Sequence, residues 1–333
     1  MAIYKFYNIQ LLPIDTKTEE VGVEGYCRLF EELGNQIREM WRSKHGLPSI
    51  AIRMRGDMYF APYSVSIKEY PSDDSSAPNK AVYGSFLKFD DIDALYNTQN
   101  GNLEYQSQGN TSSKRFEFEF VFDPIKHVLA IHDAKGLPTR NPLIGALKGV
   151  LERHTTLHFK MHSLEVEELT TADSVISFFE KPKRGISSYK GSVSFSNSDE
   201  WDNELGNELL PAVEEVEKEL KEKSVGNWKA SFTSFKNSVM TDLPMSAKIQ
   251  MLLATRYGNA EASYLDENGQ KQKYQMEDYP VRESLEEKVD GNTNRVWAIL
   301  GLIGKALRRT RESEGALSQN KRLLPREKTE DDS

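Results

Sequence analysis

The chain has 333 residues, of which 38% are hydrophobic and 28% charged, and its formal net charge at pH 7 is −8. Because a chain of this length can bury two cores of ordinary size, we expect a globular protein with two domains. The acidic balance argues against a protein coated in positive potential, although local basic segments remain.

The N-terminal residues and the apolar runs predict a cytoplasmic protein without membrane insertion. The longest apolar run, 296–303, is far shorter than the roughly 20 residues that a membrane-spanning helix needs. The first residues are typical of a strand and lack the regions of a secretory signal. The single cysteine, Cys27, excludes an internal disulfide and a multi-cysteine zinc site, and its apolar neighbours predict a buried thiol.

Residues 1–113 predict an N-terminal α+β domain that ends in a polar stretch. Apolar residues at helical spacing over 25–41 indicate an amphipathic helix. Asp90, Asp91 and Asp93 could hold a metal ion, but we favour a cap for a short helix through Tyr96, because carboxylates stabilise a helix N-terminus. The predicted strands are 3–12, 50–54, 58–67 and 81–89.

The most regular strand pattern opens the second domain, which we place at 114–311. Phenylalanines occupy every second position of this strand: Phe116, Phe118, Phe120 and Phe122. A partner strand is predicted at 128–131, and Asn141-Pro142 opens a helix that continues through Leu151. We expect the polar tail, 312–333, to be disordered.

Three histidines follow this helix at a spacing that suggests metal ligands. His154, His158 and His162 recur every four residues and would align on one face of a helix. However, the β-branched Thr155 and Thr156 and the alternation over 157–162 predict a strand that continues to about residue 168. A strand would disperse the three imidazoles toward solvent, so we expect no metal site here.

The rest of the second domain predicts further strands and helices. The strands are 178–184, 248–257, 261–265 and 270–275, and the helices are 202–223, with a break at Pro211, and 292–311. In the last helix we expect these residues to be buried: Val296, Trp297, Leu300, Ile303 and Leu307. The whole pattern predicts an α+β fold of two sheet-and-helix domains with antiparallel hairpins and meanders.

Two basic clusters are candidate contacts for the DNA backbone, because lysine and arginine neutralise phosphates without reading bases. The candidates are Lys181, Lys183, Arg184, Lys190, Arg308, Arg309 and Arg311. The first cluster could instead be a solvated loop, and the second could complement a helix dipole. The acidic segment 199–222 suggests a different function, a module that mimics DNA or engages a basic partner.

The sequence contains no recognisable enzyme motif. It has no phosphate-binding glycine loop, no nucleophile elbow and no HExxH helix. Asp133 and Lys135 could belong to a divergent metal-dependent nuclease, but a second acidic residue at suitable spacing is missing. We therefore predict a protein that is not an enzyme and that uses no cofactor or metal.

A family resemblance begins at Asn141. From there the predicted order is an apolar helix led by Asn-Pro, a strand ending in basic residues at 178–184, a charged helix, and then strand, turn, strand and helix over 248–311. The turn sequence Asp-Glu-Asn-Gly at 266–269 follows the pair Tyr264-Leu265. These features resemble the RexA-like exclusion proteins of phage lambda over roughly the second half of the chain.

The resemblance implies a dimeric, sequence-tolerant protein that binds double-stranded DNA and has a sensing role in phage exclusion. It also implies a shape related to the recombination-associated protein RdgC, with basic strand and loop residues facing DNA. Trp297 and Ile299, which we place on opposite sides of the last helix, support a homodimer. We therefore expect a DNA-binding protein of phage defence or prophage exclusion, with a second defence protein as a further partner.

Overall fold

A computed structural model describes residues 1–15, 17–70, 79–107, 109, 111–181, 183–194, 211–223, 225–285 and 291–311. The chain divides into two compact units. Unit 1 comprises Met1–Val166 and Arg282–Ile303, and unit 2 comprises Glu167–Val281 and the chain from Gly304 onward. The predicted tail 312–333 and the first part of the acidic segment, 199–210, lie outside the described residues.

The described residues form helices and extensive antiparallel sheets, which confirms the α+β class. The strands are β1 (Ala2–Pro13), β2 (Ile52–Arg53), β3 (Met58–Tyr70), β4 (Asn79–Asp90), β5 (Ala94–Tyr96), β6 (Leu103–Gln106), β7 (Arg115–Asp123), β8 (Val128–His132), β9 (His162–Glu168), β10 (Lys183–Ser194), β11 (Asn227–Thr233), β12 (Gly258–Asp266), β13 (Lys271–Gln275) and β14 (Arg282–Leu285). The helices are α1 (Val23–Ser43), α2 (Arg140–His158), α3 (Ala172–Glu180), α4 (Pro211–Glu222), α5 (Met245–Tyr257) and α6 (Asn292–Arg309). No helix in the described part of the chain is long and apolar enough to cross a membrane.

Unit 1 is organised around a sheet with the strand order β14-β1-β8-β7-β4-β3-β2, and β9 also pairs with β1. One face of this sheet carries the apolar side chains of β1, β4, β7 and β8 that form a core with α1 and α2. Representative members of the core are Tyr7, Phe30, Phe86, Phe120, Phe122, Leu129, Leu147 and Leu151. The predicted strand at 116–122, its partner and the helix at 25–41 are therefore confirmed.

The opposite face of the unit 1 sheet holds a polar cluster around Glu119, which alternates with the core residues Phe118 and Phe120. Arg295 of α6 donates from Nε to both carboxylate oxygens of Glu119 at 2.6 and 2.9 Å. The Tyr4 hydroxyl donates to the same carboxylate at 2.9 Å. The beginning of α6 is thereby fixed to the central strands of unit 1.

Unit 2 is built on an antiparallel sheet with the order β11-β10-β12-β13. Helix α5 packs against the apolar face, where the Tyr189 hydroxyl of β10 donates to Gln250 Oε1 at 3.0 Å. Thr255, on the same helix, donates from its hydroxyl to the Thr310 carbonyl at 2.7 Å. The residues that follow α6 are therefore attached to the helix side of unit 2.

The predicted domain boundary at 113/114 falls within one continuous sheet. β7, which follows this boundary, pairs with β4, which precedes it, from Val82 opposite Phe122 to Phe89 opposite Arg115. The local sequence pattern indicates the hairpin of β7 and β8, but it does not indicate that β7 also pairs with β4. The second compact unit begins at Glu167, and the chain returns to unit 1 at Arg282.

The predicted strand at 248–257 is wrong, because these residues belong to α5. Most sides of this helix carry buried residues, including Ala247, Met251, Leu253 and Ala254. A helix buried on most sides lacks the polar face that distinguishes it from a buried strand. The predicted strand at 178–184 is also wrong, since α3 ends at Glu180 and β10 begins only at Lys183.

The strand expected from Thr155 to about residue 168 begins only at His162, as β9, because α2 continues to His158. The Thr155 hydroxyl donates to the Leu151 carbonyl at 3.2 Å, a bond that accommodates a β-branched residue inside a helix. The short helix expected after Asp91 is replaced by β5. Trp297, expected in the core, is 44% exposed and lies edge-on to Tyr70, whereas Ile299 is fully buried.

Candidate functional site

The polar face of the unit 2 sheet forms an open concave surface. Side chains on alternate positions of β10, β11, β12 and β13 project to this face, while Tyr189, Phe232 and Tyr274 belong to the other. The residues that form the polar face are Lys190, Ser192, Lys229, Ser231, Asn259, Glu261, Lys273 and Gln275. We call this surface the lysine face.

The strand register places its three lysines on a diagonal. Lys190 of β10 is opposite Ser231 and Glu261, and Lys229 lies two residues along β11 from Ser231. Lys273 of β13 is two residues from Gln275, the partner of Glu261. With about 4.8 Å between strands and about 3.4 Å per residue, the three lysines span about 20 Å.

The lysine face is concave, and small side chains keep it open. An open concavity of about 600 Å³ lies over its centre, bordered by Ser192, Ser231 and Asn259. The backbone of Gly191, Ala230 and Ala260 contributes the floor, since these residues have the same strand parity as the core residues of the opposite face. Hydroxyl, amide and ammonium groups are typical contacts of a phosphate backbone, and the small residues leave room for it.

Glu261 reduces the positive charge of the lysine face. Its carboxylate lies 3.0 Å from Lys273 Nζ and 3.9 Å from Lys190 Nζ. All three side chains are exposed, so these ion pairs are weak and are screened by salt. Glu277 lies at the border of the concavity and adds a second negative charge.

The first predicted basic cluster divides between different roles. Lys190 belongs to the lysine face, and Lys181 is exposed between α3 and β10. Arg184 is exposed and donates from Nε to the Glu267 carbonyl at 2.9 Å, which braces the turn between β12 and β13. Lys183 has a structural role that the sequence did not suggest.

Lys183 caps the end of α3. Its ammonium donates to the Phe178 and Lys181 carbonyls and lies 4.3 Å from the centre of the Phe178 ring. Burial lowers the pKa of Lys183, and Asp242 partly offsets this effect. Because its ammonium is used by these contacts, Lys183 is not part of the lysine face.

The second predicted cluster does not join the first. Arg308 and Arg309 are exposed in the last turn of α6, and Arg311 is half-buried two residues later. The intervening Thr310 is bonded to α5, which packs on the face of the sheet opposite the lysine face. The arginines therefore lie on the helix side of unit 2.

Sequence reasoning missed Lys229 and Lys273. The alternation in β11 was a usable signal, because Trp228, Ala230 and Phe232 are half-buried while Lys229 and its alternating neighbours are exposed. The aromatic residues of this stretch, Trp228, Phe232 and Phe235, are four and three residues apart, and this spacing concealed the period of two. Lys273 could be assigned to this face only from the pairing of β13 with β12 and of β12 with β10, which the local sequence does not reveal.

The three histidines have separate partners. His154 Nε2 lies 3.1 Å from Gln36 Oε1, and His162 Nε2 lies 2.9 Å from the Glu19 carbonyl. His158 lies 3.8 Å from a carboxylate oxygen of Glu32. In the described ranges, no three His, Cys, Asp or Glu side chains are grouped so that they could hold a metal ion.

The residues proposed for the other two functions are engaged in local contacts. Asp133 forms ion pairs with Lys5 at 3.3 Å and Arg282 at 3.9 Å. In α4, the described part of the acidic segment, Lys218 pairs with Glu222 and Lys223 pairs with Glu219. These pairs offset part of the negative charge that a DNA mimic would present.

Unit 1 contains a smaller concavity of about 220 Å³, bordered mainly by Trp41, Tyr63, Leu87 and Phe89. Asp90 lies at its edge and accepts hydrogen bonds from Ser112, Ser113 and Lys114. Burial would raise the pKa of Asp90, but these bonds hold it at about 2. The carboxylate thus anchors the chain before β7 instead of capping a helix.

The family model described as "Domain of unknown function (DUF4747)" matches residues 5–304, so the chain belongs to this family. The matched region includes the lysine face and most of both described units. A comparison with curated proteins finds no match to this chain.

Proposed function

We propose that this protein binds double-stranded DNA through the phosphate backbone and acts in phage defence or prophage exclusion without catalysing a reaction. The observation that carries the proposal is the diagonal of Lys190, Lys229 and Lys273 across an open, concave sheet face. Its span of about 20 Å equals the rise of about six base pairs, so the lysines can follow one DNA strand.

The composition of the lysine face favours binding that tolerates any sequence. Lysines neutralise phosphates, and the hydroxyls of Ser192 and Ser231 can donate to phosphate oxygens. Among the described residues, the lysine face carries strands and no helix that would enter a major groove, the usual way to read base edges. Glu261 and the acidic chain weaken the attraction, so the affinity should be modest and strongly dependent on salt.

The test compares two triple variants with the same change of charge. Lys190→Ala/Lys229→Ala/Lys273→Ala removes the lysine face, and Lys17→Ala/Lys135→Ala/Lys160→Ala removes three exposed lysines of unit 1. Binding to a random-sequence duplex is measured by fluorescence anisotropy at several salt concentrations. If each lysine meets one phosphate, the first variant loses about 2.7 from the slope of log affinity against log salt, since each contact adds about 0.9.

The control variant should keep the slope of the unchanged protein. Equal slopes for all three proteins would refute the lysine face as the site. The absence of binding by the unchanged protein at low salt would refute DNA binding itself.

The role in phage exclusion is supported only by the likeness to RexA-like proteins. It predicts that cells producing the protein restrict phage growth and that the lysine-face variant loses this effect. Plaque counts with the two triple variants test it. The same likeness supports a homodimer, and light scattering that reports only monomers at micromolar concentration would contradict that part.

A further inference from the structure

The turn after β11 presents an aromatic side chain to solvent. Phe235 is 90% exposed, more than any other large hydrophobic residue in the described chain. Lys236 beside it is also exposed. The ring contributes nothing to the core of unit 2, and both of its faces are open to a ligand.

The turn that carries Phe235 is well ordered by hydrogen bonds. The Ser234 hydroxyl donates to the Ser238 carbonyl at 2.8 Å, and the Ser238 amide donates to the Phe235 carbonyl at 3.0 Å. Asn237 has a φ of 62°, a left-handed conformation that asparagine tolerates better than most residues. The turn is thus a fixed support for the ring.

The turn is continuous with the strand that carries part of the lysine face. The Ser234 amide donates to the Ser187 carbonyl at 3.0 Å and extends the pairing of β10 with β11 by one residue. Phe235 follows two residues after Thr233, the end of the strand that holds Lys229. At about 3.4 Å per residue, Phe235 lies about 20 Å from Lys229 along the strand direction.

We propose that Phe235 stacks on an unpaired base of DNA whose backbone lies on the lysine face. The inference rests on the proposed DNA binding and specifies its substrate class, DNA with locally unpaired bases. An aromatic ring stacks on any base, because every base has a flat π face, and so preserves tolerance of sequence. Lys236 is placed to meet a phosphate next to the stacked base.

The experiment uses a perfect duplex and the same duplex with a central run of mismatches. Four full-length variants are compared: Phe235→Ala, Phe235→Leu, Phe235→Trp and, as a control, Tyr96→Ala, which removes another exposed aromatic residue, from unit 1. Since one base stack is worth about 5-fold to 150-fold in affinity, Phe235→Ala should weaken binding to the mismatched duplex by about that factor. It should leave binding to the perfect duplex unchanged.

The remaining variants separate stacking from simple apolar contact. Phe235→Leu should behave like Phe235→Ala, and Phe235→Trp and Tyr96→Ala should bind like the unchanged protein. Full binding by Phe235→Leu, or equal losses on both duplexes, would overturn stacking. If Phe235→Ala binds both duplexes like the unchanged protein while the lysine-face variant loses binding, this inference alone is overturned. If the unchanged protein binds neither duplex, the proposed function is overturned as well.

Discussion

Glu261 lies between two lysines of the sheet face, with its carboxylate 3.0 Å from the ammonium of Lys273 and 3.9 Å from that of Lys190. Glu261→Gln keeps the shape of the side chain and removes its charge. If the lysine face binds phosphates, this variant should bind a random duplex more tightly, because both lysines are then free of a competing anion. Exposed pairs of this kind are worth about 0.2–1 kcal/mol each, so for the two pairs we expect a gain of roughly 2-fold to 30-fold.

Anisotropy titrations at low and moderate salt provide the measurement for Glu261→Gln. Glu283→Gln is the control for the change in net charge, because Glu283 lies on β14 of unit 1. A gain of the same size in both variants would indicate a general charge effect and would contradict a local role of Glu261.

The cluster around Glu119 predicts a dependence of stability on pH. Burial would raise the pKa of the Glu119 carboxyl, but hydrogen bonds from Arg295 and Tyr4 outweigh burial and hold the pKa below its usual value of 4.5. A carboxyl with a lowered folded pKa binds fewer protons in the folded state, so its stabilising effect is complete above about pH 4.5. This contribution is lost as the pH falls below 4.5 through the folded pKa.

Chemical denaturation of Glu119→Gln tests this dependence. The variant leaves Arg295 without its charged partner and should be less stable by about 1.5–3 kcal/mol at pH 7, because it breaks a half-buried, hydrogen-bonded ion pair. The difference from the unchanged protein should shrink between about pH 5 and pH 3. A difference that stays constant over this range would show that Glu119 is not the titrating group.

The sequence predicted those parts of the fold in which local pattern and final environment agree. The alternating phenylalanines of β7 and the apolar stripe of α1 each face one core, so their periods are visible. The hairpin at 261–275 was predicted correctly because Asn268-Gly269 marks its turn. α5 was mistaken for a strand because the fold buries it on most sides, and that burial depends on neighbours distant in sequence.

The candidate site was less predictable than the fold. Lys190 was identified from the sequence, but the other two lysines reach the same face only through the pairing of β10 with β11 and of β12 with β13. Lys183 and Lys190 belong to one basic cluster in the sequence. In the structure, Lys183 is bound to the end of α3, whereas Lys190 is exposed. Charge alone could not separate them, because the difference lies in which carbonyls and rings surround each ammonium.

Lys183 should affect stability and not DNA binding. Lys183→Ala removes the donor to the Phe178 carbonyl and the contact with the Phe178 ring, so we expect a loss of roughly 1–2 kcal/mol in the free energy of unfolding. Denaturant titration measures this loss, and DNA titration of the same protein should give an unchanged salt slope. Lys181→Ala, two residues away and exposed, is the matched control for stability. If the slope of log affinity against log salt is flatter for Lys183→Ala, Lys183 contacts DNA after all.

The two exposed arginines at the end of α6 should also act on stability. They lie in the last turn of the helix, where positive charge offsets the negative end of the helix dipole. We expect Arg308→Ala/Arg309→Ala to reduce stability by roughly 0.3–1 kcal/mol per residue. Because the helix end is bonded to α5 on the side opposite the lysine face, the salt slope of DNA binding should not change. Thermal melting and DNA titration of the same double variant decide the matter. A slope flatter by about two, without loss of stability, would instead place both arginines on phosphates.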